Sequence, residues 1–544
     1  MFTTPSRNFP RMIFEITPAG DERSSLKVTK LAKRIFTVLL AGLLTASMAA
    51  CGNGGDSSST AEDSSTTSAA GGESSTAASS DTGSAGNGEV SHVVVWGTGN
   101  ADTADCTAVA EAVSAITRDA IGVEVELVRG QDGEQINLAL TSGEQIDLLN
   151  YNSASGGLPA LVRNQYATAL DDLLPEYGSE ILDVINEEDL AACTIGGTLY
   201  ALPTMKDNRR AAGMAMRQDI LDELGISVEG VDTFDEIHEI LLQVHEAYPD
   251  MYCVVPSWQQ GGMQNVMPYD SLGDSLGVLE NLFEDSTEVV NLYATDTYRK
   301  FVERMYQWGQ EGLLMPDAAT TTENNLLSGN GFAQFENIKP GKEVEVEKGN
   351  NRDIVLVETL PANSYTEVVQ ENNFVIPYCA QYPEKAMELW EMMYTNAEIS
   401  NLFVNGVEGI NWVYSDDSKT FITTPEGVDS NATGYTSYGW AWPNQQITPV
   451  WEGDDADLWD QLQEFNNGGT LSPAFGFTWD SSSMANQITA CNNVVSQYDA
   501  ALRWGNLNPD ETLEKFNADL EAAGINEIIE EKQRQLDEYL ASKE

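Results

Sequence analysis

Histidine and basic side chains are scarce in this chain. It has 3 His, and 28 Lys and Arg stand against 85 Asp and Glu, giving a formal net charge of −57 at pH 7. A field of that sign repels phosphate backbones and excludes nucleic acid as a partner. It also disfavours anionic ligands unless a local basic pocket overrides it, and most of the carboxylates read as a solvated surface. His92 opens a strand, while His238 and His245 share a helix without HExxH spacing or a third ligand, so no metal is expected. GxSxG and Walker A sequences are absent, which removes the commonest signatures of serine hydrolases and P-loop NTPases. Asp454–Asp460 (DDADLWD) lacks the Gly at the sixth position of a calcium loop and reads as a helix start. A glycosidase needs two carboxylates, and nothing marks one pair among the many. No cofactor is expected.

Cysteine is sparse too: Cys51, Cys106, Cys193, Cys253, Cys379 and Cys491, irregularly spaced and without a CxxC pair. Apart from Cys51 they read as mostly free, buried, small hydrophobes. Long apolar runs are confined to Ile35–Met48, which is too short to span a bilayer but suits the hydrophobic region of a secretion signal. Lys27, Lys30, Lys33 and Arg34 precede it, and Ala49 and Ala50 stand directly before Cys51. The stretch Lys27–Cys51 resembles a bacterial lipoprotein signal, with Met48 where Leu is commonest. The resemblance implies that Cys51 is lipidated and becomes the mature N-terminus. Met1–Leu26 fits such a signal poorly, and translation is expected to start nearer Leu26 or Val28.

From Gly52 to Glu89 the chain is almost all Gly, Ser, Thr, Ala, Asp and Glu. It cannot bury enough apolar surface to offset its ordering entropy, so disorder is expected. Such a coil reaches roughly 35 Å and reads as a tether. A tether of this kind suits a surface with no outer membrane, hence a Gram-positive host. What remains, roughly 450 residues, can support two or three lobes.

Folded structure is expected to begin at Val90. Val90–Trp96 reads as a strand, Asp105–Ala120 as a helix, Val123–Val128 as a strand, Gln135–Leu140 as a helix and Ile146–Asn150 as a strand. This βαβ alternation predicts a mostly parallel sheet with helices on both faces and a ligand beyond the strand ends. Thr233 with Glu236 predicts a capping box opening an amphipathic helix, and Asn508 with Pro509 opens another. Trp308 and Trp390 lie within helical patterns and read as core.

GTLYALPTMKD, RQDILDELGI, NNFVIPYCAQYPEKAMELWEMMYT and GVEGINWVY follow in this order after the lipobox. Together they resemble an ABC-transporter extracellular solute-binding protein of the family 1 kind. The ending NPDETLEKFNADLEAAGINEIIEEKQRQLDEY resembles members carrying the C-terminal domain of unknown function 3502. The resemblance implies an α/β, periplasmic-binding-protein-like fold of two lobes with a solute cleft between them. Residues 1–50 would be signal, 51–89 tether and 90–400 the two lobes. Lobe one would hold about 90–203 and 372–395, and lobe two about 207–357. LYALPTM and Leu360–Phe374 would cross between the lobes. Residues 401–544 would form a mostly helical C-terminal domain packing on hinge and lobe two.

A neutral-sugar binder needs flat aromatic faces and planar hydrogen-bonding groups. Trp96, Tyr151, Trp258, Trp412, Tyr438, Trp440 and Trp442 fall in loops or strand ends and are candidate ligand contacts, although ordinary packing would account for any of them. Tyr435, Tyr438, Trp440 and Trp442 cluster among Gly434, Gly439 and Pro443. Asn150 could bond hydroxyls or simply serve a turn. Arg209, beside Arg210, could meet an acidic ligand group, form an interlobe ion pair or sit in an exposed turn. The expectation is a monomeric, lipid-anchored, extracellular receptor that captures an oligosaccharide for a membrane permease pair and a cytoplasmic ATPase, without chemistry. Two other readings stay open: a surface enzyme acting on glycans, and a peptide-binding or structural surface lipoprotein.

Overall fold

A computed structural model describes residues 90–151, 156–257, 266–321, 323–428 and 433–543. The signal, Cys51, the 51–89 tether and Trp258 lie outside the described residues.

Lobe one opens with β1 (Ser91–Gly97), α1 (Thr103–Ile121) and β2 (Val123–Arg129), a βαβ unit whose strands pair in parallel from Ser91↔Val123 to Gly97↔Arg129. α2 (Gly133–Ser142) starts at a capping box of Asp132 and Gln135 and leads to β3 (Leu148–Asn150), parallel to β1 on its other side. The period-2 alternation of β1 sends Val93 and Val95 to one core with α1, and Val94 and Trp96 to a second core with α2. Helices therefore cover both faces of the sheet. Asp147, fully buried, ties this layer together: it accepts from the backbone N–H groups of Val94 (2.9 Å), Gln381 (2.7 Å) and Tyr382 (3.0 Å).

After an extended crossing through Ala201–Arg209 the chain builds lobe two. Its elements are β4 (Arg210–Arg217), α3 (Phe234–Ala247), β5 (Tyr252–Val254), α4 (Asp296–Gln310), β6 (Gly331–Ile338), α5 (Lys342–Asn350) and β7 (Ile354–Ser364). α3 begins at the Thr233–Glu236 capping box. Central β4 is antiparallel to both β6 and β7, so the second sheet is mixed, not the parallel kind implied by the first βαβ unit. Trp308 of α4 is fully buried in its core.

The chain returns through α6 (Thr366–Gln370) to β8 (Phe374–Val375), which pairs antiparallel with β3 and completes the order β8-β3-β1-β2. α7 (Pro383–Thr395) and α8 (Ala397–Asn405) follow, then a small sheet of β9 (Val413–Tyr414), β10 (Phe421–Thr423) and β11 (Val450–Trp451). α9 (Leu458–Gly468) leads to β12 (Thr470–Leu471), an edge strand on β7. Three helices close the chain: α10 (Ala485–Arg503), α11 (Pro509–Ala523) and α12 (Ile525–Lys543). They bury Leu502, Leu513, Phe516, Ile528 and Leu536 in the core of lobe two.

Two boundaries differ from those expected. The second crossing starts at Tyr365 instead of Leu360, because Asn363 pairs with Arg210 and Thr470 and donates to Arg210 O (3.0 Å), carrying β7 to Ser364. Residues 401–442, assigned above to a domain on the hinge and lobe two, instead supply Phe403, Tyr435 and Trp442 to lobe one. The apolar face of α8 packs on α7 and α1, and that burial decides its place.

Candidate functional site

The cleft between the lobes is a cavity of about 1550 Å³. Lobe one lines it with Asn100–Asp102, just past β1, and with Asn405 at the end of α8; lobe two lines it with Lys339–Gly341 and with Glu345 and Lys348 of α5. Residues between Thr433 and Leu462 form most of the remaining wall.

That wall is aromatic. Tyr438 and Trp440 stack with ring centroids 5.1 Å apart and planes 28° from parallel. Gly439 between them leaves room for the Gln445 side chain, since a Cβ there would lie 2.2 Å from Gln445 Oε1. Trp451 donates its indole N–H to Asn405 Oδ1 (3.1 Å) and Ser437 Oγ (3.2 Å), and Trp459 donates its own to Thr448 O (2.8 Å). With these N–H groups satisfied inside the protein, the two indoles are fixed in orientation and offer the cleft ring surface instead of donors. Ring surface is what the C–H face of a pyranose meets.

Opposite, the charged groups are paired. Lys348 Nζ lies 3.5 Å from Asp454 Oδ2, and Lys339 Nζ lies 3.6 Å from Asp207 and 3.5 Å from Glu345. Burial raises the Asp454 carboxyl above its ordinary range, with Lys348 opposing. Burial also works against ionisation of Glu345, but Lys339 and Lys342 outweigh it and hold that carboxyl below the usual value. Burial opposes the charge on Lys339, yet Asp207 and Glu345 push its ammonium well above the ordinary lysine range.

Behind the aromatic wall sits Arg129, at the end of β2 and nearly buried. Its guanidinium donates to Thr98 O (3.0 and 2.8 Å) and Thr436 O (2.9 Å), and lies 4.2 Å from the Tyr435 ring centroid. It thereby joins the loop after β1 to the aromatic segment. Both crossings meet at Asn373, also buried: its side-chain oxygen accepts from Thr204 N (3.0 Å) and its amide donates to Val369 O (2.7 Å). Lys206, whose ammonium donates to Val368 O (2.7 Å), is brought down to about 8 by burial and by Arg210.

Of the residues singled out in the sequence, Tyr438 and Trp440 line the cleft. Trp96 and Tyr151 do not: they are buried in the second core of lobe one, because β1 and β3 turn those positions toward α2. Trp442 is sealed between Phe374 (5.7 Å) and Phe403 (5.1 Å). Trp412 is buried and donates to Gly406 O (3.0 Å). Asn150 is a structural clasp, its amide donating to Ala441 O (3.1 Å) while Thr98 donates to its oxygen. Arg209 is buried and bonded to Asp189 (3.2 Å), which makes it an ion pair between the crossing and lobe one. Trp451, Trp459 and Arg129 escaped the sequence reading. Trp451 ends the aromatic, Pro-containing stretch that begins at Thr436, and Trp459 falls off the Leu458/Leu462 stripe of α9, two signals that were present. Arg129 gave none.

No group of three or more potential ligands for a metal ion occurs among the described residues, and no helix among them is long and apolar enough to cross a membrane. The five described cysteines are free thiols, four of them buried.

Residues 473–541 match the family described as Domain of unknown function (DUF3502). The chain is 25% identical over 428 residues to a carbohydrate ABC transporter substrate-binding protein of Streptococcus pneumoniae serotype 4, covering 76% of this chain and 83% of that one. Among solved structures it resembles the N-glycan transport solute-binding protein NgtS of S. pneumoniae, with TM-score 0.75 and 21% identity over 83% of this chain and 100% of that chain. Against the same protein in complex with Man5GlcNAc the TM-score is 0.66, over 83% and 99% of the two chains. These likenesses establish the fold as that of two-lobed solute-binding proteins.

Proposed function

We propose that this chain is the solute-capturing component of an ABC importer, which takes an oligosaccharide into the interlobe cleft, closes around it and releases it unchanged to a permease. The observation that carries this reading is the aromatic-walled cavity of about 1550 Å³ between the lobes. Pockets for drug-sized ligands run to roughly 300–1,000 Å³, so a space of this size suits several linked sugars better than one. Tyr438, Trp440, Trp451 and Trp459 would stack on pyranose faces, and the paired Lys348 and Asp454 would meet hydroxyls. The cleft carboxylates Glu345 and Asp454 each lie beside a lysine, Lys342 and Lys348, and both keep lone pairs that can accept from sugar hydroxyls. The N-glycan ligands named for the pneumococcal relative support a glycan of that general kind.

Lipidation at Cys51 would anchor the receptor to the outer face of the cell membrane, with residues 52–89 as the tether. The chain would act as a monomer beside two permease subunits, with an ATPase beneath. Closure would bend the crossings near Ala201–Arg209 and Tyr365–Asn373, where few residues connect the lobes.

A thermal-shift screen of the purified chain against mono- and oligosaccharides, peptides and amino acids tests this. A ligand at 100 times its Kd adds about 2.7 kcal/mol of stability. Oligosaccharides that raise the Tm and are recovered intact support capture; shifts by peptides alone, or a glycan recovered cleaved, overturn it.

A further inference from the structure

Taking the oligosaccharide-capture reading as its base, we propose that the cleft is selective by charge: it accepts uncharged glycans and rejects those bearing carboxylate, sulfate or phosphate. Two cations line the cavity, Lys339 and Lys348. Neither is an unbalanced positive charge, although both can still donate to a neutral hydroxyl. Lys339 is shared between Asp207 at 3.6 Å and Glu345 at 3.5 Å, and Lys348 stands 3.5 Å from Asp454. The remaining charged groups in the lining, Asp102, Glu345, Glu452 and Asp454, are all acidic. Asp102 and Glu452 are exposed, and no Lys, Arg or His of the described residues lies within ion-pair distance of either.

An acidic sugar entering this space meets more negative charge than positive. To reach a lysine it must come close to the carboxylate already beside it, and it does so against the field of a chain carrying −57. A neutral sugar has no such conflict. Its hydroxyls donate to the free lone pairs of Glu345, Glu452 and Asp454, and its ring faces lie on indoles whose own N–H groups are satisfied. Discrimination of this kind comes from placing like charge against the unwanted ligand, not from extra contacts to the wanted one.

The test uses three matched glycans of equal length. They are Man5GlcNAc, the same glycan with primary hydroxyls oxidised to uronates, and the amide of that oxidised form, titrated calorimetrically into the full chain at low and high salt. The expected result is that the uronate form binds at least tenfold more weakly than the parent at low salt. High salt should narrow that gap, because screening weakens the repulsion, and the neutral amide should recover most of the lost affinity. The double variant Asp102→Asn with Glu452→Gln should reduce the uronate-to-parent Kd ratio several-fold. Equal or tighter binding of the uronate form overturns the proposal, and so does an amide as weak as the acid, since size would then be the cause. If none of the three glycans binds while another class of solute does, the capture reading itself has failed and the charge filter falls with it.

Discussion

The carboxylate of Asp189 holds two neighbours on the first crossing at once: Arg209 Nη1 donates to Oδ1 at 3.2 Å and Asn208 Nδ2 to Oδ2 at 3.1 Å. All three side chains are buried. The pair fastens the hinge strand to the helix Glu187–Ala192 of lobe one, and Arg209 also lies 5.6 Å from the Phe475 ring centroid. Removing one partner of a buried ion pair typically costs about 3–5 kcal/mol, because the other charge is stranded. Arg209→Met should therefore lower the urea midpoint markedly, while the folded fraction keeps its glycan Kd within about threefold (~0.65 kcal/mol). A large loss of affinity with unchanged stability would return Arg209 to the binding site.

Tyr438 and Trp440 should behave in the opposite way. They are partly exposed on the cleft wall, and aromatic contacts of this sort contribute about 1–2 kcal/mol each at a binding site. Trp440→Ala should raise the oligosaccharide Kd by roughly 5- to 30-fold with little change in Tm. Trp442, two residues on, is a core residue with 1% exposure. Trp442→Ala should cost about 3–5 kcal/mol of stability. Calorimetric Kd values alongside melting curves for both variants separate the two roles.

Local chemistry made a good part of this fold legible. The apolar run VSHVVVW, the capping residues Thr233 and Asn508 and the Pro at the start of α7 each act within a few residues, so their elements could be read directly. Burial of a strand-end aromatic is a different matter. Whether Trp96 faces a ligand or α2 depends on which side of the sheet a helix later in the chain covers, and period-2 alternation is silent on that. Tyr438 and Trp440 differ from Trp442 by where Phe374 and Phe403 arrive from, contacts across 68 and 39 positions that no local pattern encodes. Arg129 was invisible for the same reason: its partners Thr98 and Thr436 lie 31 and 307 residues away.

A carboxyl pair, Asp270 buried and Glu367 half-buried, should give lobe two a dependence on pH. Asp270 and Glu367 face each other beside the second crossing, with Ser472 Oγ donating to Asp270 (2.5 Å), Ser271 Oγ to Glu367 (3.3 Å) and the ammonium of Lys532 nearby, itself bonded to Asp274 at 2.6 Å. Burial, followed by the charge of Asp270, raises Glu367 to about 8. A carboxyl raised on folding binds its proton more tightly in the folded chain. Its contribution to stability is complete below the unfolded value near 4.5 and is lost as pH climbs through about 8. Glu367→Gln should flatten the fall in Tm between pH 5 and pH 8.5 and raise Tm at the upper end. Parallel curves for the two proteins would show that the pair does not titrate in that window.

Gly213, in central strand β4, sits where the register on β7 slips: Ala212 pairs with Leu360 but Gly213 with Glu358. One residue of β7, Thr359, is squeezed out as a bulge, and the strands close up beneath it. A Cβ on Gly213 would lie 1.9 Å from Val357 O and 3.0 Å from Glu358 Cα, both backbone atoms that no rotamer change can move aside. Gly213→Ala must therefore part β4 from β7, and overpacking of this kind costs about 1–3 kcal/mol or more. Because β4 also carries β6, and β7 leads into the second crossing, the damage should reach the hinge, lowering both the urea midpoint and the oligosaccharide affinity. Gly349, in α5 with nothing within 4 Å of an added Cβ, is the control. Gly349→Ala should stabilise the chain by about 0.5–1 kcal/mol through helix propensity alone. Equal unfolding midpoints for Gly213→Ala and the parent protein would mean that the close approach of β4 and β7 is not a constraint on the fold.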